Sequence, residues 1–348
     1  MTTRRGFLGG LGAVFCSCCM LEQQQAQAQA TPRREVMVGG SRVKTVDVHV
    51  HVSFPEAAAL MGLKVPPSQQ MGPDRLKAMD AQGIDVEALS INAFWYKADR
   101  DVAEKLIRLQ NEKLAALCAA QPDRFVAFAS VALQHPDMAA QQLEHAVKQL
   151  GLRGAAIGGS VEEFELSDPK FHPFWAKAEE LGCLVFIHPQ ANEGFRKRLA
   201  GNGGLINVIG NPLETTIALS HMIYEGTLDR FPNLKICAAH GGGYLPSYAA
   251  RSDAGCVTFP DRCATVALKK KPTEYLKQLY YDSIVFTPEA LQHLAHQVGA
   301  SQIVMGTDYP FPWTKVSVDH ILSTPGLSDA ERRAMLGETA ARLLGIKS

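Results

Sequence analysis

Residues 44–54 read KTVDVHVHVSF, a stretch that alternates like a strand but carries Asp47, His49 and His51 at its polar positions. Successive side chains of a strand face opposite ways, so these three are expected on one face and Val46, Val48 and Val50 on the other. Two imidazoles on one face near a strand's C-terminal end can reach a single ion. They can equally be a hydrogen-bonded pair at the rim of a core, and the H-x-H spacing alone does not decide. Three later apolar runs close in the same way: FIHP brings His188, AAHG brings His240 and GTDY brings Asp308. If these runs are parallel strands, their C-terminal ends meet at one mouth and the five side chains become neighbours. Three imidazoles and a carboxylate suit one divalent ion, zinc in the first place, with manganese or iron as alternatives for a mixed nitrogen and oxygen set. A bound zinc lowers the pKa of its water to about 7, and an adjacent imidazole can carry the proton. The remaining histidines serve as a control. His145, His221, His293, His296 and His320 fall in or beside expected helices and His135 and His172 precede prolines, so all read as surface or core residues.

The elements that must position these groups follow from the pattern after residue 44. Apolar runs at 44–50, 84–91, 125–132, 154–158, 183–188, 235–239, 280–285 and 302–306 read as strands. Amphipathic stretches at 73–82, 99–120, 137–150, 168–182, 211–225, 243–252, 288–298 and 328–343 read as helices. Asn211-Pro212-Leu213-Glu214 has the order of an N-cap, a first-position proline and a capping-box glutamate, and Ser328 with Glu331 repeats the box. Strand then helix, eight times in about 300 residues, is the spacing of an α/β fold of the (β/α)8 barrel type. An open doubly wound sheet is the alternative, but its usual GxGxxG turn after the first strand is missing. No linker divides 44–348, which reads as one domain with loops 52–72 and 189–210 capping the site.

The chain has 348 residues, 46% hydrophobic and 20% charged, ordinary for a globular protein with a large core. Lysine plus arginine equals aspartate plus glutamate at 35 each, so no overall field favours nucleic acid or an anionic membrane, and a small molecule is the expected partner. Residues 1–30 read as an export signal: Arg4-Arg5, a glycine-rich apolar run too short to span a membrane, and a small-x-small pattern ending at Ala30. Thr-Arg-Arg-Gly-Phe-Leu is of the twin-arginine type, so the mature product is expected to be periplasmic or otherwise exported, soluble, and preceded by a short segment at 31–43. Cys16, Cys18 and Cys19 leave with the signal. The five that remain are odd in number and scattered, with no CxxC, so no disulfide framework is expected.

Beyond D-x-H-x-H and FIHP, the chain carries GNPLETTIA at 210–218, AHGGGYLP at 239–246, YYDSIVFTPEAL at 280–291 and GTDYPFP at 306–312. With these motifs it resembles the amidohydrolase superfamily, in the branch of aminocarboxymuconate-semialdehyde decarboxylase and γ-resorcylate decarboxylase, from about residue 45 to 345. The resemblance implies that His49, His51 and His188 bind the metal. It also implies that Asp308 is a ligand or proton-transfer group and that His240 works beside the metal-bound water. Strand four ends in Ala156-Ile157-Gly158-Gly159-Ser160, without the lysine or glutamate that bridges two metals in many amidohydrolases, so a single ion follows. Arg251 matches a family arginine that reaches a neighbouring subunit's site to hold a substrate carboxylate, which implies a homodimer; the alternative is a solvated helix arginine. Two family features are absent, an arginine in the loop after strand one, where 52–72 offers only Lys64, and a tryptophan after the strand-five histidine.

Phe311 stands where a ring can stack on a planar acid, whereas Trp95 and Tyr96 read as packing residues at least as readily. Glycines 241–243 lack a following Lys-Ser/Thr and read as a close backbone approach rather than a phosphate loop. Asp47 is left open between a ligand and a partner that orients one. The leading expectation is a nonoxidative, metal-dependent carboxy-lyase of an aromatic or unsaturated carboxylic acid. Hydrolysis of a lactone, amide or related bond by the same site is the second, and a noncatalytic metal-binding protein the third.

Overall fold

The computed structural model describes residues 33–190, 193–313 and 315–347, so the expected signal at 1–30 lies outside the described residues. Eight strands carry the architecture: β1 Val46–His51, β2 Val86–Ser90, β3 Phe125–Ala127, β4 Gly154–Ile157, β5 Leu184–Ile187, β6 Lys235–Ala238, β7 Tyr280–Asp282 and β8 Ile303–Val304. They pair in sequence order and in parallel, β1 to β3 in one ladder and β4 to β8 in another. Parallel bridges Ala129↔Ala155 and Val50↔Tyr309 join the two ladders at both edges. The ring is thereby closed, as the eightfold alternation predicts and an open sheet does not allow.

Each strand is followed by a helix: α1 Asp74–Gln82, α2 Arg100–Ala120, α3 Pro136–Lys148, α4 His172–Leu181, α5 Asn211–Tyr224, α6 Leu245–Thr258 and α7 Pro288–Val298. The last, α8, is a run of three segments, Asp329–Arg333, Ala334–Glu338 and Thr339–Leu344. The expected loops hold short helices, Pro55–Ala59 in the first and Glu193–Arg196 with a π-helical turn Ile206–Gly210 in the second. The segment before β1 forms a hairpin, Met37–Val38 with Ser41–Arg42.

Two buried clusters divide the strand side chains. Val46, Val86, Val126, Ala156, Leu184, Phe186, Cys237 and Val304 pack together from seven strands, which can meet only inside the barrel, and Leu343 and Leu344 of α8 close the floor. Val50, Leu89, Ala127, Ile157, Ile187, Ala238 and Ile303 face the helices. Burying both faces explains why these strands read as apolar runs with little alternation.

Four local expectations are corrected. On β1, Val46 and Val48 join the interior cluster and Val50 the outer one, so the three valines do not share a face. The cause is an extra residue. Asp47 pairs with Glu87 and Val50 with Leu89, so β1 bulges by one position and its facing changes there. Asn211 is not a cap, because the chain is already helical at Gly210 (φ −64°, ψ −45°); Glu214 instead accepts from Gln190 N at 3.0 Å and Ser160 Oγ at 3.3 Å, tying the loops after β5 and β4 together. The Ser328–Glu331 box does form. Helix α6 runs past residue 252 to Thr258, and its last turn carries Cys256, disulfide-bonded to Cys263 beyond the turn Pro260–Arg262. A disulfide therefore exists where the scattered cysteines suggested none, because the turn folds back over seven residues, a spacing that no short cysteine motif marks.

Candidate active site

The β1 bulge turns His49 inward beside Val48, and its ring meets interior Phe186 edge-on at 5.0 Å. Around it stand the rings of His51 at 5.1 Å, His188 at 4.9 Å and His240 at 5.1 Å, centroid to centroid. Gly306 makes this crowding possible, since a Cβ there would lie 2.9 Å from His49 Cβ and 3.1 Å from Asp282 Cβ. His49, His51, His188 and Asp308 each offer a ligand atom, all within 4.8 Å of one another, and all four residues are buried. His49 Nε2 and His51 Nε2 stand 3.3 and 3.0 Å from Asp308 Oδ1. Ligand atoms held 2.0–2.2 Å from one ion stand about 3 Å apart, so the cluster has the dimensions of a metal site.

The proton positions agree. His49 Nδ1 lies 2.6 Å from Asp282 Oδ2, which fixes that proton and leaves Nε2 buried without a hydrogen-bond partner. Ser90 Oγ donates to Val50 O at 2.8 Å, so His51 Nδ1, 3.1 Å away, must be the donor to Ser90, and its Nε2 is left with a free lone pair toward Asp308. His188 Nδ1 is also buried and unpartnered. Burial, reinforced by the neighbouring imidazoles, lowers His51 to about 4 and His188 well below its usual range, so both present neutral rings at pH 7. At His49 burial acts in the same direction, but the Asp308 and Asp282 carboxylates outweigh it and raise the imidazole to about 10. Burial would raise Asp308, yet the charge of His49 and the close approach of the surrounding imidazole nitrogens hold it well below the usual carboxylate range. The four residues fit one divalent ion: two neutral imidazoles, a third, His49, whose Nε2 proton the ion can displace, and an ionised carboxylate.

Asp47 is not in the ligand group. Its carboxylate accepts from Thr307 Oγ1 at 2.6 Å, Thr307 N at 3.2 Å and His49 N at 3.1 Å, so it braces the backbone on either side of two ligands. Asp282 was not picked out by the sequence. Besides the His49 ring it accepts from His240 N at 2.8 Å, Gly241 N at 2.9 Å and Ile284 N at 3.0 Å, setting one ligand and the His240 backbone at once. Its signal was a carboxylate in an otherwise apolar strand with no exposed face. His240 and Asp308 both adopt left-handed backbone, φ 56° and 62°, a conformation costly for non-glycine residues and common at functional sites. His240 Nε2 is 3.9 Å from Asp308 Oδ2.

A cavity of about 410 Å³ opens over this group, lined by His188, His240, Asp308, Phe311 and Trp313 and by the amides of Asn92, Gln190, Asn207 and Asn211. Phe311 meets the His51 ring edge-on at 5.7 Å. Trp95 and Tyr96 are core residues, donating Nε1–H to Val131 O and accepting Gly158 N at the hydroxyl. The glycine run does mark a close approach, but to a helix, since a Cβ at Gly243 would lie 2.0 Å from Pro212 O. Arg251 is exposed on α6 and lines a separate groove of about 940 Å³ that contains none of the ligands, so it does not reach the site of its own chain.

A family profile described as amidohydrolase matches residues 46–346. The chain belongs to the amidohydrolase family. Within it, the chain is 34% identical over 275 residues to a 2-amino-3-carboxymuconate-6-semialdehyde decarboxylase from Dictyostelium discoideum, covering 78% of this chain and 76% of that one. It is 32% identical over 287 residues to a γ-resorcylate decarboxylase from Rhizobium radiobacter, covering 78% and 85%. The crystal structure of 5-carboxyvanillate decarboxylase from Sphingomonas paucimobilis superposes with a TM-score of 0.81 at 26% identity, covering 88% of this chain and 100% of that chain. A dihydroxybenzoic acid decarboxylase from Polaromonas, solved with bound manganese and the inhibitor 2-nitroresorcinol, superposes with a TM-score of 0.78 at 25% identity, covering 87% and 97%. The amidohydrolase protein is therefore a metal-dependent carboxy-lyase of the decarboxylase branch, with the barrel expected from its sequence.

Proposed function

We propose that this carboxy-lyase acts without an oxidant on a hydroxylated aromatic acid, with His49, His51, His188 and Asp308 holding one divalent ion. The observation that carries the substrate class is the cavity lining. Rings of Phe311 and Trp313 offer stacking surfaces, and Asn92 Oδ1 and Asn211 Oδ1 are buried acceptors without a partner, suited to the hydroxyls of a phenol. No lysine or arginine is among the described lining residues, which disfavours a dicarboxylate such as a carboxymuconate.

The ion, once bound, supplies a Lewis acid that fixes the acid's oxygens and balances their charge. Phe311 then holds the ring plane. The His240–Asp308 pair manages the proton; its 3.9 Å spacing is longer than a hydrogen bond, as catalytic pairs often are before substrate binds. The proton adds to the carbon bearing the carboxylate, the C–C bond breaks, its electron pair restores the aromatic ring, and carbon dioxide leaves. Three imidazoles with one carboxylate favour zinc, and the manganese of the Polaromonas neighbour is the competing choice.

The reading extends to assembly and location. Arg251 shares its groove with exposed Tyr248 and Phe259, 68% and 57% accessible, an apolar surface suited to a second copy in a homodimer. The Cys256–Cys263 disulfide supports an oxidising compartment, consistent with export through the twin-arginine-type signal. The test combines metal analysis of protein purified without added metal with carbon dioxide assays across hydroxybenzoates, muconate-like acids and neutral esters. Release of carbon dioxide from hydroxybenzoates alone is expected; turnover of esters or amides without it would overturn the reading.

A further inference from the structure

We propose that Arg75 is a positioning residue for the metal ligands, clamping the seam where the barrel closes between β8 and β1. The seam is not a continuous ladder. It rests on Val48 N to Met305 O at 3.0 Å, Asp308 N to His49 O at 2.8 Å and His51 N to Tyr309 O at 2.6 Å. Two of these three bonds are made by backbone atoms of the proposed ligands, so any slip of one strand end along the other changes the spacing of His49, His51 and Asp308 directly.

Arg75, the second residue of α1, is 2% exposed and reaches into this seam. Its Nη1 donates to His51 O at 2.8 Å, its Nε donates to Glu87 Oε2 at 2.5 Å, and its guanidinium carbon lies 4.8 Å from the centre of the Tyr309 ring. One rigid planar cation thus touches a ligand residue on β1, the residue after the ligand Asp308, and β2. Lysine cannot reproduce that set, because an ammonium lacks the fork that serves two acceptors in fixed directions and the flat face that stacks on a ring. Burying an ion pair is a poor route to stability alone, since an apolar pair of similar volume often does as well. Its place at the closure points to geometry. Earlier on β1, Asp47, bonded to Thr307, ties the same two strand ends together, a second brace on the ligands.

The inference rests on the metal-centre reading and not on which acid is decarboxylated. Its test uses the full chain, stripped of metal and reloaded with cobalt(II), with Kd from chelator competition and the visible spectrum of bound cobalt as the coordination signature. Arg75→Met combined with Glu87→Gln removes both charges together, leaving no buried charge unpaired; Arg75→Lys keeps the charge but not the fork. Both variants are expected to fold in the metal-free state, to bind cobalt about 10–100-fold more weakly, and to show a shifted spectrum. A folded double variant with Kd within about twofold of the parent and an unchanged spectrum overturns the proposal. Failure of both variants to fold assigns Arg75 to the fold at large and overturns it as well. A parent chain that binds no cobalt refutes the metal centre itself, a different failure.

Discussion

His49 shows how much of this site depends on single atoms. Its Nδ1 faces Asp282 at 2.6 Å, and only this contact leaves Nε2 pointing at Asp308. Asp282→Asn keeps the volume but weakens the acceptor toward the ring and turns an amide on one of its backbone donors. It is expected to lower metal affinity about 10–100-fold, read by chelator competition, with activity falling in parallel. His240 is outside the ligand group, so His240→Ala should keep full metal content while carbon dioxide release drops by about 100-fold or more. A variant that stays fully active removes His240 from the proton path. His49 and His188 were legible as residue types at strand ends; Asp282 was not, because its meaning comes from a contact across 233 residues of sequence.

At the scale of elements, β1 carries the lesson. Alternation put Asp47 with the two histidines, but the bulge between Asp47 and Val50 separates them and turns His49 toward the interior beside Val48. One inserted residue reverses every later facing, so a period-two reading holds only up to the bulge. Gly306, two residues past β8, answers where His49 crosses. Gly306→Ala would bring a methyl group to 2.9 Å from His49 Cβ. His49 cannot retreat without losing Asp282, so a stability loss of about 1–3 kcal/mol is expected in chemical unfolding, with metal affinity reduced as well. An alanine variant with parent-like stability and affinity would show that the crossing has room to spare.

For the whole molecule, metal binding and protonation are linked. With no ion bound, the carboxylates around His49 raise it to about 10, so its ring is charged at neutral pH, while His51, lowered to about 4, is not. A proton held up to pH 10 competes with the ion below that pH, so affinity should rise with pH through the neutral range. Calorimetry at pH 7 in two buffers of different ionisation heat should find about one proton released per ion; no release would mean that His49 is already neutral. The same charged ring stabilises the metal-free fold below its ordinary pKa, and that contribution fades as pH rises through about 10. An ion at a hundred times its Kd should add about 2.7 kcal/mol to stability, seen as a Tm that climbs with metal concentration and falls back with a chelator.

The sequence by itself determined the alternation that makes a barrel, the residue types at four strand ends, and the motifs that carry the family. All of these are local, written in periodicity and short spacings. Tertiary structure decided the rest: the inward turn of His49, the grip of Asp282, the Arg75 clamp at the seam, the disulfide, and the placing of Arg251 outside its own chain's cavity. Those features arise where the ring closes or where distant loops meet. No local preference encodes them, because the contacts exist only after eight strands have taken their order around one axis.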